Sequence, residues 1–150
     1  VQLINECVAE APGSVTLGLH LCRGNFKGQW LSEGGYDSVA ELLFGECAVH
    51  AFFLEYDTER AGGFEPLRFL PEDKVAVLGL VTTKVPTLEN VADLKRRINE
   101  AAGFAPLENL AISPQCGFSS TVAGNPVTID DEKRKLKLLV DIAADVWGSA

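Results

Sequence analysis

Four short apolar runs, each followed by a helical pattern, constrain this chain more than any other feature. Residues 51–55, 75–81 and 110–113 are apolar at most successive positions, and 15–20 is a shorter run of Val15, Leu17 and Leu19 closed by His20. A strand apolar on both faces must be covered on both. Strands separated by helices are joined by crossovers and pair in parallel. The intervening patterns predict a helix tail over 1–12, ended by Pro12-Gly13, and a helix over 38–47 capped by Asp37 or Ser38. A short helix is expected near 66–70. A further helix over 88–103 carries the stripe Leu88, Val91, Leu94, Ile98 and Ala101, and a last one over 130–147 presents Leu136, Leu139, Val140 and Ala143 to a core.

Four such units make either a small doubly wound sheet or half of a (β/α)8 barrel. No G-x-G-x-x-G follows the first strand, so a dinucleotide-binding sheet has no support. Chemistry-bearing side chains gather where strands run out into loops, which is the active-site end of a TIM barrel. The expected fold is therefore α/β: strands five to eight of a (β/α)8 barrel with a C-terminal helix, one domain over 1–150. Half a barrel leaves two open sheet edges, which the missing half or a second copy of the chain should cover.

Composition removes several function classes. A formal charge of −8 argues against nucleic acid, and no apolar run approaches a membrane span of roughly 18 to 20 residues. The basic clusters Lys95-Arg96-Arg97 and Lys133-Arg134-Lys135 read as solvated helix faces. The four cysteines are too widely spaced for a disulfide scaffold, and no secretory segment opens the chain, so reduced thiols and the cytoplasm are expected. The chain starts at Val1 and has no methionine, as expected of a piece of a longer polypeptide.

His20 and Cys22 close the first strand. Residues i and i+2 of a strand project to one face, so an imidazole and a thiol, the commonest zinc ligands, point together. Glu55 closes the second strand and Cys116 follows the fourth. Singly, each has an ordinary explanation: a core thiol, a satisfied histidine, or a Glu55 paired with Arg60 or Lys84. Together, four residues of metal-ligating type at strand ends point to a zinc centre. They lack the tight C-x-x-C knuckles of a structural site. Cys7 and Cys47 fall on helices away from that end.

His-x-Cys at His20 and Cys22, Glu55 within Leu-Glu-Tyr-Asp, and Cys116 within Ser-Pro-Gln-Cys-Gly-Phe resemble the catalytic barrel of the cobalamin-independent methionine synthase family, nearest to its short single-barrel members. The resemblance implies that His20, Cys22, Glu55 and Cys116 bind zinc, with Glu55 the exchangeable ligand. It implies methyl transfer from 5-methyltetrahydrofolate to homocysteine. Where the long enzymes of the family carry a histidine after strand seven, this chain reads Thr82-Thr83-Lys84. That proton transfer is left without its histidine, and a Lys84 charge is expected near the substrate. Asp57, Arg60 and Arg23 are candidate substrate contacts. The same zinc–thiol pattern occurs in epoxyalkane:coenzyme M transferase, which is the alternative within enzymes. A non-catalytic fragment with a structural or empty site is the alternative outside them. Because half of the pocket is expected elsewhere, residues 1–150 alone should not turn over.

Overall fold

In the computed structural model of the chain, residues 1–119 and 121–148 are described. Four strands, β1 (Gly18–Leu21), β2 (Ala51–Glu55), β3 (Val75–Val81) and β4 (Leu110–Pro114), pair in parallel in the order β1-β2-β3-β4. Among the described residues they are accompanied by helices α1 (Gln2–Ala9), α2 (Ala40–Glu46), α3 (Val91–Ala101) and α4 (Ile129–Trp147). Single 3-10 turns lie at Glu59–Ala61, Glu65–Phe69 and Leu107–Asn109. Each strand pairs with the next in sequence, so the sheet winds steadily in one direction. A doubly wound sheet would reverse at a switch point; the order here is that of a partial barrel.

One face of the sheet carries the core. Phe52 and Leu54 of β2 and Ala76, Leu78 and Leu80 of β3 are buried in one cluster with Phe44 of α2, Leu94 and Ile98 of α3, and Leu139 and Ile142 of α4. Phe44 and Phe52 meet edge to face with ring centroids 4.9 Å apart. The other face is open around β1 and the middle of β2, whereas Val77 and Val81 of β3 are buried. His20 and Phe53 are ladder partners there, and both are exposed despite lying inside strands. Glu55 shares this face by the two-residue period. The ladder between β3 and β4 slips register between Gly79 and Val81. A Cβ at Gly79 would lie 2.8 Å from the Leu54 carbonyl oxygen and 3.3 Å from the Gln115 Cα, so only glycine allows the backbones to close up here.

The observed elements correct several expectations. β1 begins at Gly18, not at residue 15, because the Leu17 N–H donates to Nδ1 of His50 (3.0 Å) instead of joining the ladder as a strand residue, and Val15 is exposed. α2 starts later than residue 38 and has no side-chain cap; neither Asp37 nor Ser38 serves. The carbonyl of Tyr36 accepts from the N–H groups of Val39 and Ala40 (3.0 and 2.8 Å), and this tight turn takes the place of the first helical turn. α3 begins at Val91, where Oδ1 of Asn90 accepts from the Ala92 and Asp93 N–H groups, which leaves Leu88 and Val91 exposed. α4 begins at a reciprocal Thr128–Asp131 capping box and buries Lys135, Leu139 and Ile142, while Leu136 and Val140 face out and Ala143 is half-buried. Nor are both basic clusters solvated. Arg97 donates to the Tyr56 carbonyl (2.5 Å) and lies over the Phe64 ring, and Lys135 is fully buried against Glu89. No helix among the described residues is long and apolar enough to cross a membrane.

The face assignment on α4 is testable by chemical denaturation of the intact protein. Leu139→Ala removes buried volume and should cost about 2–5 kcal/mol, whereas Val140→Ser should stay within about 0.5 kcal/mol.

Candidate metal centre

His20 lies within β1, Cys22 just beyond its end, and Cys116 two residues beyond β4. The imidazole nitrogen and the two sulfur atoms lie within 4.8 Å of one another. β1 and β4 are the two edges of the sheet, separated by β2 and β3. At about 4.8 Å per strand, a flat sheet would hold those edges about 14 Å apart with parallel side chains. The three groups meet because the sheet curls and its inward side chains converge. With zinc–sulfur bonds of about 2.3 Å and zinc–nitrogen bonds of about 2.0–2.1 Å, tetrahedral ligands stand about 3.5–3.8 Å apart, so small side-chain adjustments seat the ion. Two thiols and an imidazole are a zinc donor set. His20 and Cys22 are exposed and Cys116 is half-buried, so a further ligand can approach from the open face. Burial, reinforced by Cys22 beside it, pushes the Cys116 thiol up to about 12. A bound divalent cation reverses that preference, since a coordinating thiol loses its proton. Cys7 is exposed on α1 and Cys47 is in the apolar core, both outside the cluster.

Glu55 is not one of the clustered groups. Glu55 is 1% exposed, and its carboxylate is held in an ion-pair box. Oε2 accepts from the Arg23 N–H at 2.6 Å. Oε1 is bonded by Nη2 of Arg60 and lies 3.6 Å from Nζ of Lys84. Asp57 is shared with it: Oδ1 accepts from Nη2 of Arg60 at 3.2 Å and Oδ2 from Nζ of Lys84 at 2.7 Å. Arg23, Asp57, Arg60 and Lys84, each singled out from the sequence, thus converge on Glu55. Both lysine and arginine partners foreseen for a carboxylate ending an apolar strand are present. The pairs are buried, where losing one partner is costly.

The sequence gives no sign of three further residues that build this site. The hydroxyl of Tyr36 accepts from the Glu55 N–H (2.7 Å) and from Nη1 of Arg23 (2.9 Å), and donates to the Leu21 carbonyl (3.1 Å), so it joins the ends of β1 and β2. Burial raises its pKa, which keeps it a donor. Oε1 of Gln115 accepts from Nζ of Lys84 (2.8 Å) and from the Cys116 N–H (2.7 Å), linking the box to the thiol cluster. Lys135 donates to the Thr87 carbonyl (2.6 Å) and to both oxygens of Glu89 (3.1 Å each), and Glu89 accepts from the Thr82 N–H (2.8 Å). α4 thereby fixes the loop that carries Lys84. An open cleft of about 650 Å³ beside α3 reaches Asp57 but none of His20, Cys22 or Cys116.

No protein-family model matches the sequence. Two curated proteins of Bacillus subtilis (strain 168), the uncharacterized proteins YxjH and YxjG, are each 50% identical to it, over 97% and 96% of this chain. The chain spans about two-fifths of their length, 39% and 38%. Among solved structures, a Listeria monocytogenes protein described as a candidate vitamin-B12-independent methionine synthase matches 99% of this chain and 40% of its own. It has 34% identity and a TM-score of 0.70. A B12-independent methionine synthase from Shewanella sp. W3-18-1, solved with selenomethionine, matches 95% of this chain and 41% of its own, with a TM-score of 0.73 and 18% identity. The latter likeness shows the fold alone. The structural relatives are thus methionine synthase-like proteins, and this chain is similar to a part of each.

The tyrosine joint gives a direct test. Tyr36→Phe removes one oxygen and leaves the Glu55 N–H and the Leu21 carbonyl without that partner, which should cost about 1–3 kcal/mol in denaturation of the intact protein. No loss would mean that water or a neighbour replaces the hydroxyl.

Proposed function

We propose that these residues are the metal-binding part of a zinc-dependent thiol methyltransferase of the cobalamin-independent methionine synthase family. It would form methionine from homocysteine and 5-methyltetrahydrofolate. The observation that carries this reading is the convergence of His20, Cys22 and Cys116 within 4.8 Å at the loop end of a curled parallel sheet. The likeness to the Listeria monocytogenes structure supports it, and the Shewanella structure supports the fold beneath it. Zinc held by two thiolates and an imidazole supplies a Lewis acid that keeps a bound thiol deprotonated and nucleophilic at neutral pH.

The chain's own residues divide the remaining work. His20, Cys22 and Cys116 would hold the ion, and Glu55 would be the exchangeable ligand that leaves room for the substrate thiol. Gln115 fixes the Cys116 backbone through its side-chain oxygen, and Tyr36 fixes the Glu55 backbone. Lys84, set by Asp57 and Gln115, supplies positive charge beside the reacting groups. Arg23, Arg60 and Asp57 act on the substrate through Glu55 and Lys84. The other half of a (β/α)8 barrel, carried by the rest of a polypeptide as long as the Bacillus relatives, would close the open face over Phe53 and complete the substrate pocket. Free thiols at the site suit a reducing compartment such as the cytoplasm.

Elemental analysis of protein purified without added metal should find about one zinc per chain, lost in Cys22→Ser. Cys116→Ser should remove most of the zinc affinity while far-ultraviolet circular dichroism stays native. Unfolding of that variant would indicate a structural site. With zinc established, the full-length protein should methylate homocysteine with 5-methyltetrahydrofolate. Epoxide opening with coenzyme M in its place would overturn the assignment of donor and acceptor.

A further inference from the structure

The ion-pair box around Glu55 is more elaborate than a buried carboxylate needs. Oε2 is taken by the Arg23 N–H, one peptide beyond Cys22. Oε1 faces Arg60 and Lys84 together. Three cations, Arg23, Arg60 and Lys84, surround only two carboxylates, Glu55 and Asp57. If Glu55 left, Asp57 would remain with Arg60 and Lys84, and Arg23 would lose its carboxylate partner. Arg60 has the most to lose. Its Nε and Nη1 are buried without hydrogen-bond partners, so its donors are served only through Nη2 by Glu55 and Asp57. It cannot easily follow a moving carboxylate, because the Trp30 ring stacks on its guanidinium at 4.6 Å.

We propose that Arg60 and Lys84, with the Arg23 amide, are a docking site that holds the Glu55 carboxylate off the metal, so that these cations set how readily the fourth metal position opens to a substrate thiol. This rests on the zinc reading above. It makes Arg60 and Lys84 positioning residues: they act on the substrate only through where Glu55 sits. The geometry favours such an exchange. The dock is anchored one residue from Cys22, just beyond β1, and through Gln115 it also touches the backbone of Cys116, beyond β4. Movement of this one side chain would exchange a metal ligand for its ion pairs with Arg60 and Lys84. A box whose cations outnumber its acids also favours an anion nearby, which the arriving thiolate supplies when Glu55 is docked.

The test is zinc affinity, read by competition with a chromophoric chelator, in the full-length protein. An ordinary structural ion pair would loosen the metal when broken. A dock that competes for Glu55 does the reverse: Arg60→Met should bind zinc about tenfold more tightly. The gain should vanish in the Arg60→Met/Glu55→Gln double variant, since the competing carboxylate is gone. Lys84→Met reaches the same oxygen from another loop and should shift the affinity in the same direction, so it decides the matter if Arg60→Met does not fold. Unchanged or weaker zinc binding in the folded variants, or an equal gain with Glu55→Gln present, would overturn the proposal. Absence of zinc from the parent protein would instead overturn the metal reading beneath it.

Discussion

The curl of a four-stranded parallel sheet is the constraint on which the rest of this molecule depends. Its two edges carry the metal-type ligands: His20 and Cys22 with β1, Cys116 with β4. Only curvature brings groups from those edges within a metal's reach. The curvature comes from ordinary sources: helices crowd one face with Phe44, Leu94, Ile98 and Ile142, while the other face carries Gly18 and Gly79 at close approaches. The register slip between Gly79 and Val81 is the kind of irregularity that bends a strand locally. Any substitution that flattens the sheet should therefore act on the His20–Cys22–Cys116 cluster and on the fold together.

Beneath the thiol cluster lies a second layer, and it is electrostatic. Burying five charged groups is unfavourable unless each finds its partners, and here the partners come from four separate segments: the loop after β1, the end of β2, the 3-10 turn at Glu59–Ala61 and the loop after β3. Tyr36 and Gln115 add neutral bonds that fix the backbones of Glu55 and Cys116. Such a layer contributes little net stability but specifies one arrangement of loops. A site that must hold two thiols at a set separation needs that specification more than it needs added stability.

How much of this was legible in the sequence depended on whether a residue's role was local. β2 and β3 matched their expected limits because both faces of each run are apolar and turn signals bound them. The pairing of His20 with Cys22 followed from the two-residue strand period. Cys116 joined them only through strand-end position and the resemblance to methionine synthases, since its partners lie far away in the chain. Lys135 shows the opposite case. On α4 it read as one more solvated cation, but Glu89, 46 residues away, draws it inside. That ion pair also sets the rotation of the helix, so the buried stripe runs through Lys135, Leu139 and Ile142, and Leu136 and Val140 turn out. Tyr36 escaped notice for the same reason: its three partners are backbone groups and an arginine distant in sequence, and no periodic pattern records such contacts.

X-ray absorption at the zinc edge of the full-length protein counts the ligands that the curl of the sheet brings together. The expected first shell holds two sulfurs at about 2.3 Å and nitrogen or oxygen neighbours at about 2.0–2.2 Å, falling to one sulfur in Cys116→Ser. A shell without sulfur, or one unchanged by that substitution, would show that the ends of β1 and β4 do not share a metal.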